Sequence, residues 1–302
     1  MSRRRALRRV AGAAGAALGG VAVLGVADAD CGDDARRPLF TERFGDAGPV
    51  LVFLPGLGLT TSAWRPVAVP LAGGARAVLV DLLGFGRSPK PWTTYSVARH
   101  VAELHWVLAP LAAGGPVTLV GHSIGARLAL AYTAAYPAAV ERLVLVSLPY
   151  FGGEERAKRH LRARGGWVWT HRIPFALACL LGRRLFGWAL PLVLRDLPRD
   201  VVDGLKQMTW RSSTSTTWEV IYGHDLAADV ARVPAHLPFV CLHGDRDETA
   251  PLDRMRALVA LHTNCRIVVA AGADHLLPIR RPGWVRARIT EEVGLTERHV
   301  SA

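Results

Sequence analysis

Lysine is nearly missing from this chain. Of 37 basic residues only Lys90, Lys158 and Lys206 are not arginine. The formal net charge is +12, but the excess reads as a usage bias spread along an alanine- and glycine-rich sequence. A nucleic-acid or acidic-membrane surface would need a local patch, so no nucleic-acid partner is expected. Cysteine is scarce too. Cys31, Cys179, Cys241 and Cys265 are too few for a disulfide scaffold in 302 residues, and no CxxC or mixed His/Cys cluster has metal-ligand spacing. No metal is therefore expected. No internal repeat is visible. The most apolar internal stretch, IPFALACLLGRRLFGWALPLVLR (173–195), is interrupted by Arg183 and Arg184 and by Pro191 near its end. Those residues argue against a membrane span.

The one dense basic cluster is at the start, SRRRALRR, Ser2 to Arg9. A weakly apolar run from Val10 to Val26 follows, then ADA at Ala27 to Ala29. A basic head, an apolar middle and a small-x-small end form an export signal. The head resembles a twin-arginine signal, with Ala6 where that pattern prefers Phe. Residues 1–29 are thus expected to direct export to the periplasm or exterior, with cleavage after Ala29. The competing readings are an uncleaved anchor or a disordered basic extension. About 20 apolar residues are needed for a stable span, and this run is short and glycine-rich. Membrane contact is expected only through this segment. Asp30 stands before Cys31 where a lipobox needs a small neutral residue.

What remains is enough for one large domain, since half of the residues are hydrophobic. LFTERFG (39–45), VLVFL (50–54), AVLVD (77–81), PVTLVG (116–121), RLVLVS (142–147), PFVCLHG (238–244) and RIVVAAG (266–272) read as strands. Helices are predicted over Tyr95 to Ala109, Ser123 to Tyr136, about Pro251 to Leu261, and from Pro282 onward. Strands apolar along their whole length, alternating with helices, predict an α/β fold: a mostly parallel sheet covered on both faces. The rhythm breaks over 149–226, which holds Trp167, Trp169, Trp188, Trp210 and Trp218 and no convincing strand. That stretch is expected to be an inserted helical cap between two parts of the core, 38–148 and 227–295. An apolar cap predicts a small-molecule substrate with an apolar acyl or alcohol group.

The chemistry starts at PVTLV-GHSIG. A strand that turns sharply into a helix at a serine lifts the hydroxyl above the sheet edge, and small neighbours let the chain pass. The following N–H groups open a helix and favour negative charge. A serine hydroxyl needs a base, and the base needs an orienting acid. His275, in AGADHLLP, follows the last apolar strand. Asp247, in HGDRDETAP, follows the strand before it, with Asp245 as second choice. The order serine, acid, histidine places all three at strand C-termini, where ligands bind in such sheets. The N–H groups of Ile124 and of Leu57, in PGLG, are the oxyanion donors expected.

The stretches FLPGLG, DLLGFGRS, LVGHSIGARLAL, HGDRDETAP and GADHLLP, in that order from about Leu39 to Val293, resemble the α/β-hydrolase fold superfamily. The resemblance is greatest to capped members such as esterases, lactonases, epoxide hydrolases and carbon–carbon bond hydrolases. It implies a serine hydrolase without cofactor, with Ser123, His275 and Asp247 as its triad and a carboxylic ester as substrate. Pro55 and Ala126 depart from the common pattern. The nucleophile is serine, unlike the aspartate of dehalogenases and epoxide hydrolases. The same triad would serve lactone, thioester or carbon–carbon hydrolysis, or acyl transfer. Some members of this fold are non-catalytic binding proteins that lack a triad member. Ser123 as a mere helix cap, His122 as packing, His243 as structural, Asp81 as a loop fastener and Arg127 as a helix-surface or ion-pair residue complete the reading.

Overall fold

The computed structural model describes residues 37–260, 262 and 264–295. The predicted export segment 1–29 and Cys31 lie outside the described residues. Seven strands form one sheet: β1 (Thr41–Phe44), β2 (Val50–Leu54), β3 (Arg76–Val80), β4 (Val117–His122), β5 (Val140–Val146), β6 (Phe239–Gly244) and β7 (Cys265–Ala270). Their order is β1-β3-β2-β4-β5-β6-β7. Only β1 runs antiparallel, against β3. β2, β4 and β6 are buried at every position, as continuous apolar runs require when both faces are covered.

The alternation of side chains sorts the core into two layers. Val50, Val52 and Leu54 face α1 (Val97–Ala112), α2 (Ile124–Ala135), α7 (Leu226–Arg232) and α8 (Leu252–Val259) through residues such as Leu104, Leu128, Val230 and Leu258. Leu51 and Phe53 face the short helix Arg65–Ala68 and α9 (Pro282–Val293) through Val67, Val285 and Ile289. The chain moves from β2 outward to β3 and then returns to the far side of β2 as β4. The gap beyond the C-terminal ends of β2 and β4 is therefore a topological switch point, where clefts form.

Two boundaries differ from the sequence expectation. α1 begins at Val97, capped by Ser96, whose side chain accepts the Arg99 N–H. It runs through Pro110 to Ala112, with the missing proline N–H confined to the last turn. The crossover from β2 to β3 holds turns at Thr61–Ala63 and Val69–Leu71 and the helix Arg65–Ala68. Pro66 and Pro70 open two of these pieces, too short to leave a periodic pattern.

Between β5 and β6 the chain is helical: α3 (Glu154–Arg162), α4 (Arg172–Phe186), the short helix Leu190–Val193, α5 (Arg199–Leu205) and α6 (Trp210–Thr216). A single wide turn, Thr217–Tyr222, follows, in which the Gly223 N–H reaches back to the Trp218 carbonyl at 2.8 Å. This inserted segment has a small core of its own, built from Phe151, Ala157, Phe175, Trp218 and Tyr222. Of its five tryptophans only Trp218 is buried there; Trp167, Trp169 and Trp188 are exposed.

Candidate active site

β4 delivers Ser123 to the switch point. The serine has φ 55° and ψ −117°, a strained backbone that L-residues adopt only where surrounding structure enforces it. Its N–H donates to the Val146 carbonyl at 2.9 Å, locking the turn to β5. Gly121 and Gly125 have no substitute here. A Cβ on Gly121 would lie 2.5 Å from the Gly125 carbonyl oxygen, and one on Gly125 would lie 2.5 Å from that of Pro55. Both obstacles are backbone and cannot move aside. The Ser123 side chain makes no capping bond to its own helix; its hydroxyl points elsewhere.

It meets His275, whose Nε2 is 2.9 Å from Ser123 Oγ. The other ring nitrogen, Nδ1, is 2.8 Å from Asp247 Oδ2. Asp247 Oδ1 accepts the N–H groups of Thr249 at 3.0 Å and Ala250 at 2.8 Å. Burial raises the cost of charge on Asp247. The hydrogen bond from His275, its charge and the Ala250 N–H outweigh that cost and hold the carboxyl below its ordinary value. An acid kept ionised by such donors fixes the imidazole with its Nδ1 proton toward the carboxylate, leaving Nε2 to accept from the hydroxyl. Asp245, the second candidate, goes elsewhere: its Oδ1 accepts the Gly272 N–H at 2.7 Å.

A surrounding layer holds these three groups. The His122 Nε2–H donates to the His275 carbonyl at 2.8 Å, and the two rings lie 5.1 Å apart. Burial, then the neighbouring His275, lowers the His122 pKa to about 3, so the ring is neutral. The His243 Nε2–H donates to the Ala250 carbonyl at 2.8 Å and lies 3.5 Å from Asp247 Oδ2. Both histidines fasten the loops that carry acid and base. Asp81 does the same for the neighbouring turns: its oxygens accept the N–H groups of Thr61 at 2.7 Å and Arg87 at 2.8 Å, while burial raises its pKa. Leu57 lies on the loop after β2, closed by the Leu59 N–H donating to the Gly56 carbonyl at 3.1 Å. The Ile124 N–H is the first of α2, where backbone donors have no intrahelical partner.

Arg127 corrects a sequence expectation. It is neither a surface residue nor half of an ion pair: it is 2% exposed, and its guanidinium donates to three carbonyls. These are Val220 (2.9 Å), Pro149 (2.8 Å) and His224 (3.1 Å). Burial lowers its pKa to about 10, so it stays charged at neutral pH. Pro149 lies at the beginning of the inserted segment and Val220 and His224 at its end. One arginine, four residues past Ser123, thus ties both ends of the insertion to α2. A lone arginine among apolar residues gives no sequence signal of this role.

Above Ser123 and His275 lies a cavity of about 520 Å³, within the range typical of small-molecule sites. The core contributes Gly56, Leu57 and Leu276 to it, and the inserted segment contributes Leu161, Leu205 and Ile221 among others. The wall is mostly apolar, with Arg164 and Glu248 as its charged members. Among the described residues no group of His, Cys, Asp or Glu side chains could hold a metal ion.

Residues 49–282 match the alpha/beta hydrolase fold family. Rv2715 of Mycobacterium tuberculosis is 36% identical, the alignment covering 77% of this chain and 72% of that protein. A 2-(acetamidomethylene)succinate hydrolase of Mesorhizobium japonicum is 25% identical over 80% of this chain and 87% of its own length. The crystal structure of the enol-lactonase from Burkholderia xenovorans LB400 superposes with a TM-score of 0.65 at 21% identity, covering 85% of this chain and 96% of that one. The matched residues span β2 through the start of α9 and so include six of the seven strands, the turn at Ser123 and the loops that carry Asp247 and His275: the chain belongs to the α/β-hydrolase fold family of enzymes.

Proposed function

We propose that the protein is a serine hydrolase that cleaves an apolar carboxylic ester through an acyl-enzyme. The observation that carries this reading is the unbroken line of contacts from Ser123 Oγ to His275 to Asp247, at 2.9 and 2.8 Å. Ser123 attacks the ester carbonyl while His275 Nε2 takes its proton. The oxyanion forms beside the N–H groups of Leu57 and Ile124. His275 then gives the proton to the leaving alcohol. In the second half-reaction His275 deprotonates water, the hydroxide attacks the acyl carbonyl, and the proton returns to Ser123. Asp247 keeps its negative charge throughout and holds the imidazole in place. The inserted segment acts as a cap that roofs the cavity with leucines, a wall suited to an apolar acyl or alcohol group. No cofactor takes part in this scheme.

The names of relatives favour one variation. An enol-lactonase and a thioesterase domain share the fold, and a lactone or thioester would meet the same triad with the same proton transfers. Hydrolysis of p-nitrophenyl esters of increasing acyl length, by the full chain and its Ser123→Ala variant, tests the reading. The variant is expected to lose at least about a thousandfold in kcat/KM. A folded parent that neither turns over an ester, thioester or lactone nor reacts with a fluorophosphonate probe would refute it, leaving a binding protein with a ligand under the cap.

A further inference from the structure

The inserted segment carries much of its hydrophobicity on the outside. Among the described residues ten large hydrophobic side chains are exposed, and seven of them fall between Trp167 and Val193. Ile173, Trp188 and Val193 are 74%, 73% and 75% exposed. α4 shows how this arises. Phe175 and Cys179 pack into the small core of the segment, and Leu180 is buried. Ile173, Leu177 and Leu181 recur every fourth residue on a different side, and both ends of that row are exposed. Two arginines of this helix are engaged with neighbouring groups. Arg183 Nη1 donates to the Met208 carbonyl at 3.3 Å. The Arg172 guanidinium lies 5.3 Å over the Trp218 ring and 3.8 Å from Glu219. A surface helix normally has one apolar stripe and a polar back; over Ile173–Leu181 this one carries a second apolar row besides its buried one. Single exposed hydrophobic residues need no explanation, but a cluster of them does.

The charge around the cluster is not even either, contrary to the reading of a uniform bias. Between Glu154 and Arg199 there are ten arginines and lysines and three carboxylates, so seven of the chain's twelve net positive charges lie in that stretch. Arg156, Arg159, Arg162, Arg164, Arg195 and Arg199 are exposed. The patch also leads to the cavity. Trp169 is 45% exposed and lines the space above Ser123, and Leu194, next after exposed Leu192 and Val193, lines it too.

We infer that this outer face docks on an anionic lipid surface and that the cavity takes its apolar substrate from there; the second half of the inference rests on the hydrolase reading. Exposed Trp, Ile, Leu and Val side chains enter the boundary between headgroups and acyl chains, and the surrounding arginines meet lipid phosphates. A second copy of this chain would bring an equally basic face against it, so the charge favours lipid over self-association. The contact is peripheral: among the described residues no helix is long and apolar enough to cross a membrane.

Flotation with phosphatidylglycerol vesicles tests the docking. The full chain is compared with a variant carrying Ile173→Ser, Trp188→Ser and Val193→Ser, none of which lines the cavity. The parent is expected to float with phosphatidylglycerol, and far less with phosphatidylcholine or in 1 M salt, a roughly 3 Å Debye length. The variant should partition at least about tenfold less, since three buried side chains are removed from the lipid phase. Both proteins have the same N-terminal segment, so equal flotation would assign binding to that segment and overturn the proposal. A parent that ignores phosphatidylglycerol overturns it too, as does a parent dimer that the variant converts to monomer. Arg195→Glu with Arg199→Glu gives the same readout by charge should the serine variant fail to fold. For the second half, turnover of a long-chain ester held in vesicles should fall about tenfold in the serine variant, while p-nitrophenyl butyrate in free solution is unaffected. Equal rates on both substrates overturn that half. Flotation needs no turnover, so failure of the hydrolase reading leaves a separate signature: docking without activity.

Discussion

The end of the sheet and the segment that roofs it are built differently. At the sheet, Ser123, Asp247 and His275 are each held by main-chain bonds or buried rings: Ser123 through Val146, Asp247 through Thr249 and Ala250, His275 through His122. The strands beneath are buried along their length. The inserted segment rests on a core of five residues. It reaches the body through polar ties, among them Arg127 to its two ends, His160 to the Glu248 carbonyl at 2.8 Å, and Arg280, which pairs with both Asp196 and Asp274, and through apolar contacts such as Val201 with Leu59 and Ala63. The contrast teaches where each property is stored. In the proposed hydrolase, reactivity is stored in backbone geometry that tolerates little change. The shape of the cavity is stored in side chains over a small core, where substitution alters which molecule fits more than how it reacts.

Three substitutions or titrations would break or sharpen that contrast, beyond the loss of Ser123. The largest effect is expected from Asp247→Asn, which should lower kcat by about 10³- to 10⁴-fold, because the imidazole loses its orienting charge. Asp245→Asn should retain near-parental kcat. Comparable losses in both would mean that the acid is not uniquely chosen by the turn after β6. Next comes Arg127→Met. Three carbonyls, two of them buried, would lose their donor together, at about 1–3 kcal/mol for each buried one, and urea unfolding should report a destabilisation of at least about 2 kcal/mol. Arg127→Lys should rescue little, since one ammonium cannot reproduce the planar fan of a guanidinium. A variant as stable as the parent would show that the insertion is anchored elsewhere.

The smallest effect is a slope. Burial lowers the pKa of His100 and His122 from 6.5 to about 3. Between those values the unfolded chain binds protons that the folded one refuses. Their contribution to stability is full above about pH 6.5 and declines as pH falls toward 3. Denaturant midpoints should fall across that interval. His100→Gln should reduce the slope by one proton, about 1.4 kcal/mol per pH unit. An unchanged slope would mean that His100 titrates normally and is reached by water.

Much of the sheet side was legible because its signals are local. VLVFL and PVTLVG are continuous apolar runs, and a parallel strand buried on both faces needs nothing else. The turn at Ser123 shows itself through Gly121 and Gly125, since only glycine fits against the backbone there. Asp247 lies two residues further along the loop than Asp245; its carboxylate meets His275 while that of Asp245 accepts the Gly272 N–H. Arg127 was illegible because its partners are carbonyls about 20 to nearly 100 positions away, and carbonyls have no residue type. The helices of the insertion left only a composition, because their packing depends on distant pairs such as Phe175 with Trp218. Trp218 turned inward while Trp188 turned outward, and nothing in either neighbourhood marks the difference.

The tie at Arg127 also bears on how this molecule could be rebuilt. Because Pro149, Val220 and His224 converge on one side chain, everything between them is a loop whose two ends sit at a single socket. A different helical roof, longer or shorter, could be grafted at that socket without moving a strand, provided its ends present carbonyls to the same guanidinium. The residue thus defines a point of exchange, where a new specificity could be installed on an unchanged reactive centre.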